Sequence, residues 1–130
     1  MPVDLEKFVK HLRDHADKGP PGKGRCGHYV RKALQAGGAE FYGQYPPTGK
    51  EYGPALEMLG FHEITVKDPD KFNFVKGDVM VMDPYKGSKN NAGHVAGYDG
   101  KDWISDFVQK DFWAGQAYRT QRPHYAVYRY

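Results

Sequence analysis

The chain has 130 residues, 27% of them charged, a net charge of +3 and a single cysteine. That length predicts one domain, residues 1–130, able to bury a core unaided, and a lone thiol excludes an internal disulfide. No stretch approaches the roughly 20 apolar residues of a membrane helix, Met1 to Lys18 shows no secretory h-region, and the basic residues are too scattered to point to nucleic acid.

Leu5, Phe8, Val9, Leu12 and Ala16 recur at helical spacing, with Asp4 as the capping residue. The glycine- and proline-rich run from Gly19 to Gly24 ends this helix. A second helix is predicted over Cys26 to Ala36, with Cys26, Tyr29, Val30, Ala33 and Leu34 on one stripe and Gly37-Gly38 as the stop. A Tyr/Pro/Gly loop over 41–48 precedes a short helix over Lys50 to Leu59.

Strands follow. Phe61 to Val66 is one. Asp78 to Met82 is apolar at successive positions, the pattern of a central strand buried on both faces. His94 to Tyr98 and Trp103 to Val108 flank Asp99-Gly100, a hairpin signal. Ala126 to Tyr130 is the last strand. Helices first and a mostly antiparallel sheet after them make the α+β class.

The chemistry centres on Cys26. At a helix start, free N–H groups and the positive end of the dipole stabilise a thiolate, which is the nucleophilic form. Gly24 and Gly27 leave room for a substrate carbonyl. The competing reading is a buried packing cysteine. Of six histidines, His94 stands out because it opens an apolar strand after the loop Asn90–Gly93. His28, two residues after Cys26, points away from it on a helix. Asp106 lies 12 residues beyond His94. A three-residue hairpin loop would set Asp106 on the same face as His94, opposite or diagonal to it, where it orients the imidazole.

The ordered stretches GRCGHYVRKAL, KGDVMVM, AGHVAGYDG and WISDF resemble the NlpC/P60 and CHAP group of cysteine peptidases and amidases. The resemblance implies a papain-like fold with helices packed on the sheet. It also implies a catalytic set of Cys26 as nucleophile, His94 as base and Asp106 as the third residue. Many members carry His, Asn or Gln in that third place. No Tyr or Gln precedes the cysteine here, so backbone N–H groups, including that of Cys26, are expected to hold the oxyanion.

The group mostly cuts amide bonds in peptidoglycan peptides, with no metal and no cofactor. The expected substrate contacts are Arg25, Gly27, Tyr45, Lys89 and Trp103, although Trp103 reads better as core. The small size resembles amidase effectors of type VI secretion, which implies peptidoglycan as substrate, a cognate immunity protein as partner, and export to a target-cell periplasm. Neither nucleic acid nor membrane insertion is implied. The alternatives are a phage-type endolysin, a papain-like deamidase or transglutaminase, and a non-enzymatic module binding wall polymer or RNA.

Overall fold

A computed structural model describes residues 2–19, 22 and 24–130. Helix α1 (Leu5–His15) begins where expected: the Asp4 side chain accepts a hydrogen bond from the Lys7 N–H. Its stripe Phe8, Val9 and Leu12 is buried. Helix α2 (Cys26–Ala36) has the predicted bounds and buries Val30, Ala33 and Leu34. The break before it includes Pro20, Pro21 and Lys23, which lie outside the described residues. A 3-10 turn at Gly49–Glu51 runs into α3 (Tyr52–Met58). Pro54 sits in the first turn of α3, where its missing N–H costs nothing.

The strands are β1 (His62–Ile64), β2 (Val79–Met82), β3 (His94–Tyr98), β4 (Trp103–Ile104) and β5 (Tyr125–Arg129), with a short helix α4 (Gln116–Gln121) before β5. They form one antiparallel sheet in the order β1-β5-β2-β3-β4. The chain is therefore α+β, and β2 is the middle strand, as its two-sided apolar pattern predicted.

Alternation along β2 explains the layering. Val79 and Val81 face one core with Val95, Ile104 and the helical residues Phe8, Leu12, Val30, Leu34 and Leu56. Met80 and Met82 face a second core of Trp103, Phe112, Trp113 and Val127, edged by Phe72, Phe74 and Tyr125. At Gly97 in β3 an added Cβ would lie 2.6 Å from Leu12 Cδ1, so only glycine lets α1 settle on the sheet there.

Asp78, wholly buried, explains the Gly-Asp-Val pattern. It takes a two-pronged bond from Arg129 (2.9 Å each) and accepts the Val75 N–H, tying the start of β2 to β5.

The hairpin departs from expectation. Tyr98 pairs with Trp103 and Gly97 with Ile104, so the loop is Asp99 to Asp102, one residue longer than assumed. Arg13 in α1 fixes it by binding Asp99 (2.6 Å) and Asp102 (2.9 Å). Beyond Ile104 the strand stops. The chain doubles back through Ser105 to Phe107, Ile104 bridges Val108, and the Gln109 N–H donates to the Trp103 carbonyl. The predicted strand to Val108 is thus two residues long.

Candidate active site

Cys26 is the first residue of α2. Its N–H and those of Gly27 and His28 have no carbonyl four residues upstream within the helix, while the Arg25 carbonyl already accepts from Tyr29. The turn is braced from α3: Tyr52 donates through its hydroxyl to the Gly27 carbonyl at 2.6 Å. The half-buried thiol lies between two clefts. One is lined by Arg25, Gly27, Pro47 and Gly49, the other by Asn90, His94, Asp106 and Tyr118.

His94 opens β3 and is buried. The backbone of Gly49 presses against it, since a Cβ there would lie 2.7 Å from the His94 carbonyl carbon. The His94 ring shares a cleft with Cys26, where the two side chains act on each other's charge. Its Nε2 donates to Gln109 Oε1 at 2.8 Å. The direction follows from Gln109 itself, whose amide nitrogen donates to the Asp111 and Phe112 carbonyls at 3.1 and 3.2 Å. That fixes Oε1 toward the ring and the proton on Nε2, leaving Nδ1 with its lone pair for the thiol.

The electrostatics follow the geometry. Burial pushes the Cys26 thiol up, but the charge and hydrogen bond of His94 and the Val95 N–H outweigh it, and the thiol sits below its ordinary value against the opposing Asp106 carboxylate. Burial pushes His94 down. The Cys26 charge and hydrogen bond, with help from Gln109 and Asp106, outweigh that and raise it. Each group stabilises the charged form of the other, which is the condition for a thiolate–imidazolium pair.

Sequence and structure part at the third residue. Gln109, not Asp106, accepts the hydrogen bond from the His94 ring. The longer hairpin loop breaks the parity that would have put Asp106 on the face of His94, and the bend then carries Gln109 back to the ring. Asp106, 1% exposed, accepts instead from the Arg25 N–H (3.2 Å) and the Ser105 hydroxyl (3.1 Å), and acts on His94 through its charge. It ties the residue before the thiol to the bend.

Of the expected substrate contacts, Arg25 and Gly27 line the cleft at Cys26. Tyr45 is exposed and lines a neighbouring groove with Phe41 and Met58 rather than this cleft, with the Arg31 guanidinium 4.0 Å above its ring. Lys89 is exposed on the loop before β3 and is not among the residues lining either cleft. Trp103 is no substrate contact but the core residue that was its better reading: it is 4% exposed in the second core, with the Phe74 ring at 4.8 Å, while Cys26 packs on the first core.

Two tyrosines were missed as site residues. Tyr118 of α4 lies 6.1 Å from the His94 ring, and burial, with the Cys26 charge and Tyr85 adding to it, pushes its hydroxyl up to about 12. Burial also takes Tyr52 to about 12, with Arg31 opposing and Cys26 adding. Both remain proton donors at the edge of the thiolate. Among the described residues no three His, Cys, Asp or Glu side chains converge to hold a metal ion. Among the described residues no helix is long and apolar enough to cross a membrane.

No protein-family model matches the chain, and no curated protein matches it in sequence. Among solved structures it is similar to the native type VI effector–immunity complex Tae3–Tai3 from Ralstonia pickettii, with 38% identity over 98% of each chain and a TM-score of 0.82. The selenomethionine form of that complex matches at 40% identity, over 95% of this chain and 99% of the other, with a TM-score of 0.79. With the likeness spanning both chains almost end to end, this chain belongs to the Tae3 family of type VI effectors.

Proposed function

We propose that this protein is a peptidoglycan amidase that cuts an amide bond of the stem peptide or its cross-link through Cys26 and His94, and that it is delivered by type VI secretion. The observation that carries the proposal is a half-buried Cys26 at a helix N-terminus facing the buried, hydrogen-bonded His94–Gln109 pair, in a member of an effector family. The ordered motifs of the NlpC/P60–CHAP group support the same chemistry. Family membership favours the effector reading over the phage-lysin one. The relatives were solved with an immunity protein, and we propose a cognate one for this chain.

Cys26 Sγ attacks the amide carbonyl and forms the C–S bond, while the oxyanion faces the N–H groups of the first turn of α2. His94 gives its Nδ1 proton to the leaving amine as the C–N bond breaks. His94 then takes a proton from water, which attacks the thioester, releases the acid and restores the thiolate. Gln109 holds the ring in one tautomer throughout, and Asp106 supports its positive charge.

The single cysteine gives a clean test. Purified diaminopimelate-type sacculi are incubated with untreated protein and with protein alkylated by iodoacetamide, and the products are resolved by mass spectrometry. Untreated protein is expected to release new stem-peptide fragments whose masses identify the bond, and alkylated protein none. Equal release from both would remove the thiol from the mechanism. A deamidated product in place of fragments would move the chemistry to the deamidase class.

A further inference from the structure

A pocket of about 340 Å³ lies between α1 and α2, lined by His11, His15, Arg25, His28, Tyr29 and Lys32. Five of these are basic residue types and none is acidic. The nearby Asp14 is engaged by Lys10 at 2.6 Å. The His11 and His15 rings stack at 3.8 Å. His15 Nδ1 donates to the His11 carbonyl, which leaves its Nε2 free of that bond. His28 Nδ1 accepts from Arg31 at 3.1 Å, which puts its proton on Nε2. His11 Nδ1 is buried with no hydrogen-bond partner among the described residues, an arrangement that costs free energy unless a ligand or water satisfies it. Arg25 and His28 line both this pocket and the cleft at Cys26, so a molecule held here reaches the thiol.

We infer that the pocket between α1 and α2 binds a carboxylate of the peptide whose amide is cut at Cys26. This rests on the amidase reading and adds to it the side of the cleft that takes the substrate's negative charge. Arg25 and Lys32 supply fixed charge, His28 supplies its Nε2–H, and His11 and His15 supply further donors when protonated. Burial holds His11 below its ordinary value, with His15 and Lys32 adding to this and Asp14 opposing. Burial, then Arg25, Arg31 and Lys32, do the same for His28. A bound carboxylate favours protonation of both, so by linkage its affinity rises as pH falls through the histidine range.

The test is an NMR titration of the imidazole resonances of full-length Cys26→Ala protein. The probes are the free peptide L-Ala-γ-D-Glu-diaminopimelate and the same peptide with its carboxylates amidated. The free peptide is expected to shift His11, His15 and His28, to leave the exposed His62 and His124 in place, and to bind more tightly at pH 6 than at pH 7.5. Amidation, or Lys32→Gln, is expected to weaken binding by about threefold or more, the scale of one solvent-exposed ion pair. Equal binding of the two peptides, or shifts confined to other histidines, would overturn the inference. If the titration succeeds and the wild type releases nothing from sacculi, the carboxylate pocket stands and the amidase reading falls. If fragments are released and amidation leaves binding unchanged, the pocket falls alone.

Discussion

Cys26→Ala and His94→Ala are each expected to lower kcat/KM for stem-peptide hydrolysis by about 10⁴-fold or more, and the double variant to be no worse than either single one. The two side chains share one proton and one ion pair, so removing either removes the function of both. Without the imidazole the half-buried thiol loses most of the interactions that keep it below its ordinary value, and burial pushes it up against only the Val95 N–H. Without the thiol there is no acyl acceptor. His94→Ala also leaves the Gln109 amide oxygen buried without its donor, a loss of about 1–3 kcal/mol in stability. Denaturant unfolding measured alongside turnover separates the two effects. A His94→Ala protein that is folded and retains activity within tenfold of the wild type would rule His94 out as the base.

Gln109→Ala is expected to lower kcat by up to about 10²-fold with little change in KM, the lower range of what a positioned base contributes. Its amide is held by two backbone carbonyls and presents one oxygen to His94, so its removal frees the ring to adopt the wrong tautomer. Gln109→Glu separates orientation from support. The carboxylate still accepts from Nε2–H, but it repels the Asp111 and Phe112 carbonyls and raises His94 further. The acid limb of the kcat profile is then expected to move to higher pH, because more protons must leave before the free base acts in deacylation. Asp106→Asn is expected to move that limb the other way, since the carboxylate raises His94 through its charge alone. If Gln109→Ala leaves kcat unchanged while Asp106→Asn abolishes it, Asp106 is the orienting residue after all.

Local pattern carried much of this. The stripe from Cys26 to Leu34 and the stop at Gly37-Gly38 placed α2 within its observed bounds. The apolar run at 79–82 marked the middle strand, because only a strand covered on both faces tolerates it. His94 was legible as a strand-opening residue after a loop. The orienting residue was not. The hairpin register is set by Arg13, 86 residues from Asp99, and no window of sequence around Asp99-Gly100 contains that contact. The bend at Ser105–Phe107 lies inside a run with good strand composition, and what folds it is tertiary: the Asp106 side chain reaches the Arg25 N–H, and the Asp17 N–H donates to the Asp106 carbonyl. The six-residue helix α4 buries no residue completely and packs only Tyr118 partly against the second core, too little for an amphipathic repeat, and Tyr118 was invisible with it. Trp103 was legible as core, and what closes around it is Phe74 and Phe112, far apart in sequence.

The measurement closest to the central claim, an activated Cys26–His94 pair, is the rate of Cys26 alkylation by iodoacetamide as a function of pH, in the wild type and in His94→Ala. A free thiol titrates near pH 8.5. The wild type is predicted to react at lower pH than a free thiol does, because the folded thiol lies below its ordinary value. His94→Ala is predicted to shift the rise to the alkaline side. A wild-type profile that is not displaced below that of a free thiol, and is unchanged by His94→Ala, would contradict the pair and with it the mechanism.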